Sequence, residues 1–158
     1  MSLQERIEKN TELTAYPGEI PVNYLYTYGI AGEKFFRTLK EKGQFTGSKC
    51  KSCGVTYVPP RIFCERCFDS IEGVIDIPAA GEVFSFTVCH ENVDGSRKEK
   101  PDIMAAVKLD VADTVLVHML SCVNPEKVEI GMKVEAVLKP KKDREGAIFD
   151  ILHFKPVK

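Results

Sequence analysis

Two pairs of cysteines constrain this chain more than any other feature of its sequence. The first pair is Cys50 and Cys53, the second is Cys64 and Cys67, and ten residues separate the pairs. Each Cys-x-x-Cys turn aims two thiolates at one point, and a hairpin between the turns brings four sulfurs into a tetrahedral cage that suits zinc. Gly54 follows the first turn, where a positive φ lets backbone amides approach the sulfurs. The spacing predicts a zinc ribbon, with rubredoxin-like iron or disulfides as the alternatives.

The closed shell of four thiolates also indicates what the metal does. It leaves no coordination position for water or substrate, so we expect a structural metal and no catalysis at it. Metal binding contributes roughly 10–16 kcal/mol in such peptides, which is enough to order a segment without a core of its own. The charged N-terminal stretch lacks an apolar signal-peptide core, which favours metal over disulfides and predicts a cytoplasmic protein.

The residues that precede the ribbon carry two helical patterns. Apolar residues spaced among charges predict a short helix over residues 2–13, and the aromatic-rich stretch Ile20–Ile30 is extended in character, with flexible glycines at its end. A second helix is predicted over Glu33–Lys42, and Gly43 is its natural stop. The apolar face of this helix consists of Phe35, Phe36 and Leu39.

Beyond residue 71 the hydrophobic period changes from helical to alternating. Five strands are predicted, with a short helical link over Pro125–Ile130 between the third and the fourth, which is the arrangement of an OB barrel. The charged segment Glu91–Lys100 is predicted to be the loop between the first two strands, and Pro140–Gly146 the loop between the last two. The predicted strands are Gly81–His90, Ile103–Asp110, Thr114–Cys122, Lys133–Lys139 and Ala147–Phe154.

These patterns divide the chain into an N-terminal helical segment (1–43), a zinc ribbon (44–70) and an OB-fold domain (71–158). The predicted fold class is mainly β with N-terminal helices: a rubredoxin-like zinc ribbon plus a five-stranded OB-fold barrel. The formal net charge is −1, so no overall charge draws the chain to nucleic acid or to an anionic membrane surface. Its apolar runs fall far short of the roughly 20 residues that span a bilayer.

No catalytic residue is predicted. Cys89 and Cys122 fall within predicted strands, where we expect buried, inert thiols. Cys89 and His90 are neighbours in sequence, so on a strand they point to opposite faces and cannot form a dyad. His118 and His153 also fall on predicted strands, and nothing in the sequence pairs either with a nucleophile. Motifs for a nucleophile elbow, a P-loop or a dinucleotide site are absent from the sequence.

Nucleic-acid binding is the alternative function that the predicted folds suggest, since OB barrels often bind single strands. That mode needs a basic groove with aromatic residues on the second and third strands. Neither Ile103–Asp110 nor Thr114–Cys122 contains Phe, Tyr or Trp. The aromatic residues concentrate in the N-terminal segment and the first strand instead, which disfavours this alternative.

Several motifs together resemble a known family. They are the GxxCxxCGxxYxPPRxxCxxC stretch over Gly47–Cys67, the GEVFSFTV strand, the PEKVEIGMKV turn and the terminal His-Phe-Lys-Pro. This combination resembles the zinc-ribbon/OB-fold proteins that are catalogued as a domain of unknown function and are associated with acyl-CoA enzymes. The resemblance implies two helices, a rubredoxin-like ribbon with structural zinc and a C-terminal OB barrel. It also implies a partner that is thiolase-like or similar to hydroxymethylglutaryl-CoA synthase.

The same resemblance implies a non-catalytic subunit that binds acyl-CoA or CoA, or that bridges enzymes. A long, mostly apolar pantetheine arm suits a groove between an aromatic-faced helix and a barrel, and its phosphates favour basic residues at the rim. The alternatives are that the aromatic residues pack the helix onto its own barrel and that the arginine after the two prolines caps the hairpin. A thioesterase-like enzyme is a third possible function. The candidate ligand-binding residues are Phe35, Phe36, Arg37, Lys40 and Arg61.

Overall fold

The computed structural model describes residues 24–157 together with residues 14, 18 and 22. The described part contains one α-helix followed by eight β-strands. The predicted helix over residues 2–13 lies outside the described residues. No helix among the described residues is long and apolar enough to cross a membrane. The elements are α1 (Gly29–Lys42), β1 (Phe45–Lys49), β2 (Thr56–Tyr57), β3 (Ile75–Ile77), β4 (Ala80–Glu91), β5 (Arg97–Leu109), β6 (Val115–Leu120), β7 (Lys133–Leu138) and β8 (Ile151–Pro156).

The last five strands form a closed barrel in the order β4-β5-β6-β8-β7, and β7 pairs back with β4. All neighbours are antiparallel except β6 and β8, which run parallel where Leu120 pairs with Phe154. A 3-10 turn over Pro125–Lys127 links β6 to β7, and the Asn124 side chain caps it by accepting a hydrogen bond from the Glu126 amide. This is the topology of the predicted OB barrel, which is therefore confirmed.

Gly81 lies where barrel closure brings two backbones together. A Cβ atom at this position would lie 2.2 Å from the Lys108 carbonyl oxygen and 2.7 Å from the Leu109 Cα. Only glycine fits such an approach, because both neighbouring atoms belong to a backbone that cannot rotate away. The small residue at the start of β4 thus lets this strand cross closely over β5.

Helix α1 and the ribbon strands pack on one another beside the barrel. Strands β2, β1 and β3 form a small antiparallel sheet. Helix α1 ends at Gly43, which has a φ of 69° and donates its amide to the Leu39 carbonyl, so the predicted stop is confirmed. The helix begins at Gly29, four residues earlier than predicted, and the Thr27 hydroxyl accepts a hydrogen bond from the Gly29 amide. Gly29 and Gly32, which were expected to be flexible, lie in the first turn of this helix.

A single hydrophobic core joins all three parts of the chain. The helix supplies Phe35 and Leu39, β1 supplies Phe45, and the barrel strands supply residues such as Val83 and Phe154, all of them fully buried. A second, smaller cluster surrounds the cysteines and consists of Cys50, Tyr57, Cys64 and Ile71. The metal-bearing end of the ribbon therefore has its own small core, whereas the rest of the ribbon shares the core of the barrel.

Two predicted strand starts in the barrel are wrong, and the first of them lies in a segment that is rich in charge. Strand β5 begins at Arg97, so half of the predicted loop Glu91–Lys100 belongs to a long hairpin that extends past the barrel core. Its turn is closed by hydrogen bonds between Asn92 and Ser96, including Asn92 N–H to the Ser96 carbonyl at 2.8 Å. Charged residues are compatible with a strand there because both faces meet solvent.

The last strand is the second error, because β8 begins at Ile151 and not at residue 147. The preceding Ile148–Asp150 forms a 3-10 turn. The Asp150 carboxylate is fully buried and accepts hydrogen bonds from the backbone amides of Glu145 and Gly146, at 2.8 and 2.7 Å. Alternation in the sequence continues through this segment, but a buried carboxylate that binds backbone amides fixes a turn instead.

Candidate metal centre and adjoining groove

The four ribbon cysteines form a compact cluster of sulfur atoms. The Cys50 and Cys67 Sγ atoms lie 3.5 Å apart, the Cys53 and Cys64 Sγ atoms lie 3.4 Å apart, and all four lie within 4.8 Å of one another. A tetrahedral zinc with Zn–S bonds of about 2.3 Å requires sulfur atoms roughly 3.8 Å apart. The donor set and its spacing therefore fit zinc bound by four thiolates.

The two Cys-x-x-Cys turns have nearly the same backbone geometry. The Gly54 amide donates to the Cys50 carbonyl at 2.9 Å, and the Phe68 amide donates to the Cys64 carbonyl at 3.0 Å. Both residues lie in the left-handed region, with φ of 78° for Gly54 and 60° for Phe68. Glycine adopts this conformation freely, but a phenylalanine does so at a cost. Phe68 is therefore a costly residue at its position, and its side chain is 83% exposed.

Tyr57 stabilises the thiolate form of one cysteine. Its hydroxyl donates a hydrogen bond to the Cys64 Sγ at 3.2 Å and accepts one from the Glu65 amide at 3.1 Å. This hydrogen bond from Tyr57 lowers the pKa of the Cys64 thiol to about 6, against the opposing effect of burial. Because metal binding requires thiolates, the arrangement prepares Cys64 to act as a ligand.

Four hydrogen bonds attach the ribbon to the barrel. The Asp113 carboxylate accepts from the Thr56 amide at 2.8 Å, and the Asp113 amide donates to the Thr56 carbonyl at 2.9 Å. The Thr114 hydroxyl accepts from the Val58 amide at 2.8 Å and donates to the Val58 carbonyl at 3.1 Å. The loop between β5 and β6 thus serves β2 much as a neighbouring strand would.

An apolar groove of about 630 Å³, here called the ribbon groove, lies between the start of α1 and the second cysteine turn. Among the described residues, the only charged ones that line it are Arg61 and Glu65, which form an ion pair. Several apolar side chains around it are largely exposed, although such residues are normally buried. The exposed apolar lining residues are Tyr28, Ile30, Ile62, Phe63 and Phe68.

The structure separates the five candidate ligand-binding residues. Phe36 and Arg61 both line the ribbon groove. Phe35 is 0% exposed and packs in the main core, so it is not available to a ligand. Arg37 and Lys40 line a smaller pocket on another side of the helix, next to Glu145. Phe35 instead packs the helix onto its own barrel, which was one of the alternatives.

Arg61 has two structural roles besides lining the groove. Its guanidinium lies 5.4 Å from the centre of the Tyr57 ring and pairs with Glu65. Its backbone forms two hydrogen bonds with Ser48: the Arg61 amide donates to the Ser48 hydroxyl at 2.8 Å, and that hydroxyl donates to the Arg61 carbonyl at 3.0 Å. The Arg61 backbone is thus attached to β1, whereas the Arg61 side chain is half exposed.

Sequence reasoning missed the apolar residues of the second cysteine turn. Ile62, Phe63 and Phe68 look like core residues in sequence, yet each is more than half exposed. The one usable signal is at position 68, where a turn that mirrors Cys-x-x-Cys-Gly carries a phenylalanine in place of the glycine. Tyr24, Leu25 and Tyr26, on the approach to α1, are also exposed.

The structure corrects two expectations about the remaining cysteines and histidines. Cys122 lies outside β6 and is exposed, so it is not a buried strand residue. Its Sγ is 3.8 Å from the His153 Nε2, so His153 does have a thiol as neighbour. Cys89 is half-buried on β4 and His90 is exposed.

Comparison with known proteins agrees with this architecture. Residues 37–72 match the family model "ChsH2, rubredoxin-like zinc ribbon domain", and residues 74–139 match "ChsH2, C-terminal OB-fold domain". A DUF35 domain-containing scaffold protein of Methanocaldococcus jannaschii is 32% identical over 125 residues, which cover 77% of this chain and 88% of that protein. The chain belongs to the DUF35 family. The cysteine cluster is the zinc site of its ribbon.

Two solved structures share the fold of this chain. A DUF35 protein of unknown function from Sulfolobus solfataricus superimposes with a TM-score of 0.64 at 27% identity, over 82% of this chain and 87% of that one. The Ltp2-ChsH2(DUF35) aldolase has a chain that superimposes with a TM-score of 0.56 at 25% identity, over 78% of this chain and 91% of that one. The expected combination of ribbon and OB barrel is therefore confirmed.

Proposed function

We propose that this chain is a non-catalytic subunit that binds an acyl-CoA and connects it to a thiolase-like acyl-CoA enzyme, with zinc in a structural role. The observation that carries the proposal is the ribbon groove. Its walls are apolar and its one cationic side chain, Arg61, is half exposed at the rim. An apolar pantetheine or acyl chain fits such walls, and an arginine suits the phosphates at the other end of CoA.

The closed metal shell supports the non-catalytic part of the proposal. Four thiolates leave no coordination position for a substrate, so the zinc orders the turn that carries Phe68 and Phe63. The metal thus holds one wall of the groove without taking part in chemistry. Relatives that are named scaffold proteins agree with such a role.

The exposed apolar residues support the enzyme partner. Tyr24, Leu25 and Tyr26 lie shortly before α1 in the chain, and their side chains are largely exposed among the described residues. Exposed apolar surface of this kind marks protein interaction sites. The Ltp2-ChsH2(DUF35) aldolase joins a DUF35 chain to a second protein, and an enzyme seated on this surface would close the groove into a channel.

Calorimetric titration with CoA and a series of acyl-CoAs tests the proposal, first on the zinc-loaded chain and then with the enzyme that copurifies from a native lysate. Each acyl methylene that is buried should add up to about 0.8 kcal/mol of binding free energy. Phe36→Asp should abolish this dependence on chain length, because it places a charge in the apolar wall.

Arg61→Ala should weaken CoA and acyl-CoA alike, and this loss should shrink in high salt. The matched control is Arg97→Ala, which removes an exposed arginine from the β4–β5 hairpin, outside the groove lining. If no acyl-CoA binds in either state while a single-stranded oligonucleotide binds with sub-micromolar affinity, the nucleic-acid alternative replaces the proposal.

A further inference from the structure

A second cavity lies at the end of the barrel and shares no lining residue with the ribbon groove. Its volume is about 500 Å³, and it is bounded by the start of β5, the end of β6 and the link that follows β6. The cavity is mainly apolar, with Ile103, Met119 and Val123 among its lining residues. Polar groups and Cys122 complete the lining: His90, Lys100, Asp102, Ser121, Asn124 and Glu126.

Cys122 joins this cavity to a histidine. The residue lines the cavity and is exposed, so its thiol is accessible to a small molecule. Its Sγ also lies 3.8 Å from the Nε2 of His153 on β8, and His153 is not among the lining residues. A thiol therefore has a ligand-sized space on one side and a basic nitrogen within hydrogen-bonding distance, which is the arrangement of an activated nucleophile.

The link that carries Cys122 is held in place on both sides. The Ser121 amide donates to the Phe154 carbonyl of β8 at 2.8 Å, directly beside His153. On the other side, Asn124 caps the turn that follows. Cys122 itself has a φ of 63°, in the left-handed region that few non-glycine residues adopt. The backbone thus fixes the thiol close to the imidazole.

We propose that Cys122 and His153 form a nucleophile–base pair that accepts the acyl group of a thioester. His153 takes the proton of the thiol while Sγ attacks the carbonyl carbon of the thioester. A bond forms between Sγ and that carbon, the bond from the carbon to the sulfur of the leaving thiol breaks, and His153 returns the proton to the leaving thiolate. No oxidant or further reactant is needed, since one thioester replaces another. The proposal rests on the proposed function only for the choice of an acyl thioester as substrate, and it adds an acyl-transfer step at the barrel to a chain whose zinc site and ribbon groove are non-catalytic.

The test is incubation of the zinc-loaded chain with acetyl-CoA and with hexanoyl-CoA, followed by intact-mass measurement and peptide mapping. One acyl group should appear on the peptide that contains Cys122, and hydroxylamine should remove it, as expected of a thioester. Cys122→Ser should leave no hydroxylamine-sensitive adduct. His153→Gln should slow acylation by roughly 10²-fold, the usual contribution of a general base, without changing the far-ultraviolet circular dichroism spectrum, which reports the fold of the barrel that carries His153.

Cys89→Ser is the control, because Cys89 is the other cysteine outside the metal site and is half-buried on β4, whereas Cys122 is exposed; this variant should leave the acylation rate unchanged. Acylation at equal rates on Cys89 and Cys122, or an unchanged rate in His153→Gln, overturns the pair. Acyl-CoA titration of Cys122→Ser reports on the ribbon groove alone. If acyl-CoA binds Cys122→Ser but no acyl group is transferred to the native chain, this inference is overturned and the proposed function stands. If the native chain is acylated but Cys122→Ser binds no acyl-CoA, the proposed function is overturned and this inference stands.

Discussion

Phe68 combines two features that are each costly for a phenylalanine. Its backbone has a φ of 60°, and its ring is 83% exposed beside the ribbon groove. Left-handed backbone costs a non-glycine residue roughly 1–2 kcal/mol, and the exposed ring recovers little of this in the free chain. The equivalent position of the first turn carries Gly54. We infer that the ring at position 68 contributes to binding and not to folding.

Replacing Phe68 separates these two contributions. Phe68→Gly should raise the stability of the zinc-loaded chain by about 1 kcal/mol, because glycine adopts positive φ without strain, and thermal unfolding measures the gain. Phe68→Ala should give no such gain, since alanine keeps the strained backbone. Both variants should bind acyl-CoA or the partner enzyme equally weakly. A stability loss in Phe68→Gly would show that the ring packs against the folded chain.

Asp150 predicts a dependence of stability on pH. Burial alone raises the pKa of its carboxyl, but hydrogen bonds from the backbone amides of Glu145, Gly146 and Ala147 outweigh burial, and the pKa lies below its ordinary value. A folded-state pKa below the unfolded one means that the contribution is present above the ordinary range of an aspartate, near 3.9. It is lost as the pH falls through the folded-state pKa.

Asp150→Asn should therefore destabilise the chain by about 1–3 kcal/mol at pH 7, because one amide group would face backbone N–H donors without an acceptor. Urea unfolding between pH 7 and pH 3 measures the difference from the native chain, which should shrink towards the acid end. Glu99→Gln, in an exposed strand position, is the control and should show no comparable trend. A difference that stays constant with pH would contradict the assignment to this carboxylate.

At the scale of single residues, the sequence predicted what local spacing determines. The zinc ribbon follows from two short turns, each of which forms its geometry within a few residues. The environments of Cys122 and Phe35 did not follow, because they depend on where the barrel ends and on which face of α1 meets the core. Neither is encoded within the few residues on either side.

At the scale of elements, alternation located all five barrel strands but misplaced the starts of β5 and β8 by several residues. The start of β5 at Arg97 was hidden because the hairpin projects into solvent, where charge does not interrupt pairing. The start of β8 was misplaced because alternation does not reveal a buried turn such as Ile148–Asp150. Hydrophobic period predicts which residues face a core, whereas strand ends also depend on hydrogen bonds to distant residues.

The separate cluster around the cysteines leads to a prediction about zinc removal. Chelation should unfold residues 50–72, whose small core of Cys50, Tyr57, Cys64 and Ile71 depends on the metal. The barrel should stay folded, because its core takes only Val58 from residues 50–72. Hydrogen exchange with and without chelator measures this: amide protection should vanish in the ribbon turns and persist in β4–β8. Loss of protection throughout the chain in one step would show that ribbon and barrel unfold as a unit.

At the scale of the whole molecule, the shared core explains how the ribbon groove keeps its shape. Phe35 and Leu39 tie α1 to the barrel, while Asp113 and Thr114 tie the ribbon to it. Both walls of the groove are thereby attached to the same barrel, although they come from segments distant in sequence. Sequence periodicity assigns α1 to the helical segment and the second cysteine turn to the zinc ribbon, so it does not reveal the groove that the two form together.

The overall charge and the apolar surface predict how the chain should bind the enzyme that is proposed as its partner. A formal net charge of −1 provides little long-range attraction, and the exposed residues around the groove are mainly apolar. Affinity for the copurified enzyme should therefore change less than about threefold between 50 and 500 mM salt, since few surface charges need screening. Binding should instead show a negative heat-capacity change, the robust sign of apolar burial. Calorimetry at several temperatures and salt concentrations measures both quantities.

Ile62→Asp is the variant that tests this surface, because it places a charge among the exposed apolar residues of the ribbon groove. It should weaken enzyme binding and reduce the heat-capacity change, whereas Val93→Asp, in the exposed turn between β4 and β5, should leave both unchanged. A nucleic-acid partner would behave in the opposite way, because the release of counterions makes its affinity fall steeply with salt, by roughly 10³-fold or more when several phosphates are contacted. If affinity falls steeply with salt and Ile62→Asp binds normally, the partner of this chain is therefore a nucleic-acid strand and not an enzyme.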